Sequence, residues 1–62
     1  MTITVGGRYQ KRDIPSQFVI VTTYEKARTS YPGGNVGYYY ESNPKIVDCT
    51  YENLFKALYR ET

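Results

Sequence analysis

Asn35-Val36-Gly37-Tyr38-Tyr39-Tyr40-Glu41 is the stretch that decides the fold. It holds three of the eight tyrosines in a row and follows a strong turn signal, Tyr31-Pro32-Gly33-Gly34. Tyrosine and valine favour a pleated, half-buried surface, so the stretch reads as a β-strand. Side chains alternate across a strand. Val36, Tyr38 and Tyr40 therefore share the apolar, inward face. Asn35, Gly37, Tyr39 and Glu41 share the other, which leaves Tyr39 among polar neighbours.

Sixty-two residues make one small domain, and a chain this short buries only about 60% of its extended surface. Small domains often add a disulfide, a metal or a partner to compensate. The single cysteine, Cys49, forbids an internal disulfide, and the absence of histidine argues against a structural zinc. An aromatic core or self-association remains. The net charge is +2 and unevenly spread. Residues 1–30 carry Arg8, Lys11, Arg12, Lys26 and Arg28 against Asp13 and Glu25; residues 31–62 carry Lys45, Lys56 and Arg60 against Glu41, Asp48, Glu52 and Glu61. Five cations are too few to establish nucleic-acid binding from charge alone. The longest apolar run, Phe18-Val19-Ile20-Val21, is far short of a membrane span, and no signal peptide is recognisable at the start. The leading Met and the lone cysteine are expectations for a complete reading frame and a cytoplasmic location.

Thr2-Ile3-Thr4-Val5 alternates and is expected to form a first strand, with Ile3 and Val5 on one face and Gly6-Gly7 bending the chain afterwards. Arg8-Tyr9-Gln10 resumes it. Pro15 breaks the polar connection that follows. Residues 17–24 give the strongest strand, with Phe18, Ile20, Thr22 and Tyr24 on one face and Val19, Val21 and Thr23 on the other. Apolar residues on both faces place it centrally, covered on two sides. Residues 25–34 are too long for a tight hairpin. Ser42-Asn43-Pro44 reads as a turn and Lys45-Ile46-Val47-Asp48-Cys49 as a fourth, short strand. Residues 50–60 change period: Tyr51, Leu54, Phe55, Leu58 and Tyr59 form one helical stripe, with Thr50 as N-cap and Arg60 in the last turn. The expected fold is mainly β, a small α+β domain: a strongly bent antiparallel sheet of four to five strands with a C-terminal helix, the alternative being a flatter sheet with the helix laid across it.

The order of Gly7-Arg8-Tyr9, Phe18-Val19-Ile20-Val21, Val36-Gly37-Tyr38-Tyr39-Tyr40 and Tyr51-Glu52-Asn53-Leu54-Phe55 is similar to that of small SH3-like domains of bacteria and their prophages. The resemblance covers most of the chain at the level of pattern. It implies an SH3-like barrel of phage or bacterial origin, in the host cytoplasm if phage-encoded, and carries over no catalytic residue.

Catalytic readings are poorly supported. No histidine is present to act as a base near neutral pH or to activate Cys49, which reads as a small buried thiol. No Gly-rich phosphate loop occurs, the carboxylates are scattered, and no cofactor or metal site is expected. Tyr9, Tyr38, Tyr40, Tyr51 and Tyr59 occupy apolar-face positions and read as core. Tyr39, Tyr31 and Tyr24, with the cations Arg8, Arg12, Lys26 and Arg28, are the candidate binding residues. Tyrosine and arginine are enriched at protein hot spots, and aromatic faces beside cations also suit single-stranded nucleic acid. The expectation is a non-enzymatic protein-binding module, and the phage resemblance implies a modulator or inhibitor of a host defence or transcription protein. A nucleic-acid-binding barrel and a structural homodimer are the alternatives.

Overall fold

The computed structural model describes residues 1–26 and 33–62. The elements are β1 (Arg8–Lys11), β2 (Phe18–Glu25), β3 (Asn35–Tyr40), β4 (Asn43–Tyr51), α1 (Glu52–Leu58) and β5 (Tyr59–Glu61). The five strands form one antiparallel sheet in the order β4-β3-β2-β1-β5. The chain therefore meanders from β1 to β4, and β5 returns to pair with β1.

One face of this sheet carries the core. Val19, Val21, Val36 and Tyr38 come from β2 and β3, Tyr9 from β1, Tyr59 from β5 and Phe55 from α1; Ile3 completes the buried set. Tyr24, Tyr40 and Leu58 pack against it. The alternation expected for β3 holds: Val36 and Tyr38 are buried and Tyr40 is partly buried. Phe55 stacks on Tyr59 with centroids 4.7 Å apart and meets Tyr9 edge-on at 5.3 Å and Tyr38 at 5.7 Å. Such aromatic pairs are worth about 0.5–1.5 kcal/mol each beyond the area they bury. A helix as short as α1 does not persist alone in water, so Phe55 is what holds it.

Several sequence expectations give way here. Residues 2–5 form no strand. Ile3 is buried, but Val5 is 58% exposed. The arm is tied down instead by Tyr9, whose hydroxyl accepts from the Thr4 N–H at 2.8 Å and donates to the Thr2 carbonyl at 3.1 Å. Gly6, at φ +88°, turns the chain into β1 through a conformation that other residues rarely adopt. The helix is shorter than its periodicity predicts. Tyr51, not Thr50, occupies the N-cap and makes no side-chain capping bond. Tyr59 and Arg60 leave the helix for β5, because Lys11 and Gln10 of β1 offer them a ladder to join. Tyr51 and Leu54, expected on the packed stripe, are 60% and 49% exposed. The fourth strand runs from Asn43 to Tyr51 and not only over residues 45–49, with the hairpin turn at Glu41-Ser42.

β2 lies at the centre of the sheet, as expected, but only one of its faces is fully buried. A bulge between Val21 and Thr23 shifts its register against β3. Bulges re-aim side chains. Tyr24 is thereby paired with the buried Val36 and packs on the core, off the face it was expected to share with Phe18 and Ile20. Gly37 sits opposite the bulge, where any Cβ would collide with Thr23 Oγ1.

The core tyrosines are linked as well as packed. The side chains of Tyr38, Tyr59 and Tyr40 act on one another's hydroxyls, and Gln17 acts on that of Tyr59. Burial is the main force raising the Tyr38 hydroxyl far above its ordinary value of 10, and Tyr59 is raised for the same leading reason. With folded-state values above the unfolded ones, the unfolded chain releases these protons first as pH rises. Their contribution to stability is complete below pH 10 and declines above it. The thermal midpoint should hold steady from about pH 7 to 9 and fall beyond about pH 10. Tyr38→Phe should flatten that decline relative to its own neutral-pH midpoint; an equally steep decline would show that Tyr38 is not its source.

Candidate functional site

The face of the sheet opposite the core is assembled by cross-strand register. Arg8 of β1 lies opposite Ile20 of β2, Ile20 opposite Tyr39 of β3, and Tyr39 opposite Val47 of β4. Their chain neighbours Tyr9, Val19 and Tyr38 are buried, so alternation turns this row outward. Ile20 and Tyr39 are half-buried by each other's company, and Val47 is 72% exposed. Phe18 lies on the same side of β2 as Ile20. Cys49 and Tyr51 continue the outward side of β4. Exposed apolar residues scattered singly are ordinary on a protein surface; here they stand side by side across three strands.

Arg8 defines one edge of the row. Its guanidinium lies 3.7 Å from the Phe18 ring centroid and binds both carboxylate oxygens of Glu41, at 2.6 and 2.9 Å. The fork geometry suits a bidentate pair, and the flat guanidinium suits an aromatic face. The hydrogen bond between the two groups raises the Arg8 pKa and lowers that of Glu41. The pair is neutral and fixed in direction. It frames the row without giving it a net charge.

The other described candidate residues do not join this row. Tyr24 packs at a different corner, where its hydroxyl bonds the nearly buried carboxylate of Glu52, itself 3.1 Å from Lys56 Nζ. Burial first, and then Glu52, raises the Tyr24 pKa. Lys26 lines a shallow hollow at that corner with Met1, Thr2 and Tyr24. Arg12 reaches the Lys56 carbonyl at the far end of α1, at 3.3 Å. Tyr31 and Arg28 lie outside the described residues. Among the described candidates, only Arg8 and Tyr39 share the outer row, and the described cations are not gathered around Tyr39.

Sequence reasoning missed Phe18, Ile20 and Val47 as surface residues. Alternation separated Phe18 and Ile20 from Val19 and Val21, but it did not say which pair faced the core. Arg60 was also missed: it lies opposite Gln10 on β5, next to the buried Tyr59. Cys49, expected buried, is exposed, because β4 is an edge strand and Cys49 sits on its outward side.

No protein-family model matches the chain, and no curated protein or solved structure matches it. Among the described residues no helix is long and apolar enough to cross a membrane.

β4 is an edge strand of the sheet. The Glu52 N–H donates to the Gly34 carbonyl at 3.3 Å. Hydrogen-bonded and non-bonded pairs alternate along an antiparallel ladder. Thr50 and Asp48 therefore turn their backbone groups to β3, whereas Tyr51, Cys49 and Val47 turn theirs to the open side. The Cys49 N–H in the middle of that edge is covered by Asp48 Oδ1 at 2.8 Å, and Pro44 has no N–H to offer. Covered donors and proline blunt an edge against a further strand. Asp48→Ala should uncover the edge and raise self-association with concentration in sedimentation velocity. Asp48→Asn, which keeps an acceptor but loses the charge, should stay like the parent. Monomeric Asp48→Ala at high concentration would show that the edge is not guarded in this way.

Proposed function

We propose that the chain is a non-enzymatic protein-binding module that docks its partner on the outer face of the sheet, centred on Tyr39. The observation that carries this reading is the contiguous row Ile20–Tyr39–Val47, flanked by Phe18 beneath the Arg8 guanidinium. An aromatic residue and an arginine already held in place lose little freedom on docking, and such residues supply most of the binding energy at protein interfaces. The fold reading is an SH3-like small barrel. A bulged meander whose last strand returns to its first, with a helical turn before that strand, supports it. The resemblance to small prophage domains extends the reading to a modulator or inhibitor of a host protein, acting in the host cytoplasm.

The absence of histidine from the sequence favours a non-enzymatic role, and the core tyrosines with displaced pKa values are displaced upward. They hold their protons near neutral pH and do not exchange them, as a general acid or base must. The nucleic-acid alternative has less support, because Arg8 is spent on Glu41 and Phe18 while Arg12 and Lys26 lie away from Tyr39.

The test is capture of a specific protein by the tagged chain from nuclease-treated bacterial lysate. Tyr39→Ala and Val47→Glu should each abolish capture, whereas Lys26→Gln, away from the row, should retain it. Capture by both row variants at the parental level would refute the surface. Capture only without nuclease, weakening steeply with salt, would move the assignment to nucleic acid.

A further inference from the structure

A second feature lies on the other side of β3 from Tyr39. An open groove of about 750 Å³ runs between the connection after β1 and the β3–β4 hairpin. Its apolar walls are Ile14 and Ile46, both about half exposed; its polar groups are Lys11, Ser16, Gln17, Tyr40, Ser42 and Asn43. A concave site of this size, with apolar walls and a few convergent polar groups, is the usual form of a ligand site.

Both walls are built into the fold. Tyr40 pairs with Asn43, but the adjacent Tyr39 pairs with Val47, so Pro44, Lys45 and Ile46 have no counterpart on β3. This large bulge delivers Ile46 to the groove. The opposite wall is a closed turn. The Gln17 N–H donates to the Ile14 carbonyl and the Lys11 N–H to the Gln17 carbonyl, both at 2.9 Å, and Gln10 Nε2 donates to the Pro15 carbonyl at 2.8 Å. Ile14 is thus held at the rim by backbone hydrogen bonds.

The electrostatics select the ligand. Lys11 is the one cation among the lining residues, and none of them is a carboxylate. Its side chain is only 20% exposed and its ammonium lies 5.9 Å from the Tyr59 ring centroid. Its ion pair is long, 3.9 Å to Asp13, whose side chain is 73% exposed. A cation whose stem is packed and whose partner carboxylate stands 3.9 Å away on an exposed side chain is favourable for an incoming anion, which gives it a closer, charge-assisted contact. Gln17 and Asn43 add amide donors. Tyr40 is partly buried and packs against the core beside them.

We infer that this groove binds the C-terminal end of a peptide chain, with its free carboxylate at Lys11 and an aliphatic last side chain between Ile14 and Ile46. The groove is larger than a single short acid fills and takes more than one residue of chain. This site is separate from the Tyr39 row, so one chain has two docking surfaces on opposite sides of its sheet.

The probe is an N-acetylated pentapeptide, Ala-Ser-Gly-Ala-Val, with either a free carboxylate or a C-terminal amide, titrated into ¹⁵N-labelled protein. The free acid should shift the amides of Gln17 and Asn43 saturably. The amide form should bind about tenfold more weakly or worse, the loss expected when a charged hydrogen bond is removed. Lys11→Met, which keeps the apolar stem, should erase the difference between the two peptides. Equal binding of acid and amide would overturn the inference, as would shifts confined to Tyr39 and Val47 or no saturable shift. Isovalerate binding as tightly as the peptide would reassign the groove to a small acid and also overturn it. The acid-against-amide comparison on the parent protein decides the matter even if Lys11→Met fails to fold.

Discussion

The contact of Phe55 with three tyrosines is the constraint on which the structure depends. Phe55 is the side chain by which a helix of seven residues reaches the core, and it meets Tyr9 of β1, Tyr38 of β3 and Tyr59 of β5. Those strands are not all neighbours in the sheet. A single ring therefore joins the start, middle and end of the chain. The hydroxyls of the cluster would be costly to bury unpartnered, and among the described residues no buried side-chain polar atom lacks a partner. A chain with no disulfide obtains its cross-links from ring packing and phenol hydrogen bonds.

The same constraint sorts the surface. With Tyr38 committed to the cluster, the strand period sends Tyr39 the other way, into the row with Ile20 and Val47. Two adjacent tyrosines of identical chemistry thereby acquire opposite places: one is packed in the core, the other lies on the face proposed for docking. Arg8 and Glu41 then neutralise each other at the margin of that row, while Asp48 covers a donor on the open edge of β4. The proposed docking is consequently through side chains on a face and not through backbone on an edge.

Much of this was legible in the sequence, and the failures have physical reasons. β2 was readable from its run of apolar and β-branched residues, and β3 from Val36, Tyr38 and Tyr40 at every second position, from which their face assignment followed. Residues 2–5 offered only two apolar positions, a pattern equally met by an extended arm. β5 was hidden because Tyr59 falls four residues after Phe55, so one residue satisfied both the helical period and a strand inward position. The bulge that redirects Tyr24 leaves no local signature in Thr22-Thr23. The exposure of Cys49 and Tyr51 depends on β4 being an edge, which is a property of strand order. Of the two described candidate tyrosines, period gave Tyr39 its outer face, but its neighbours there are the apolar Ile20 and Val47 and not the polar residues expected, because they come from register across strands.

The division of roles between Tyr38 and Tyr39 is the central claim, and equilibrium unfolding of Tyr38→Ala and Tyr39→Ala in denaturant tests it most directly. Tyr38→Ala should cost about 3–5 kcal/mol or leave the chain unfolded, as loss of a buried aromatic does. Tyr39→Ala should cost about 1 kcal/mol or less, the scale of a cross-strand pair on an open face. Equal losses, or a larger one at Tyr39, would contradict the account, because the two faces of β3 would then have been assigned the wrong way round.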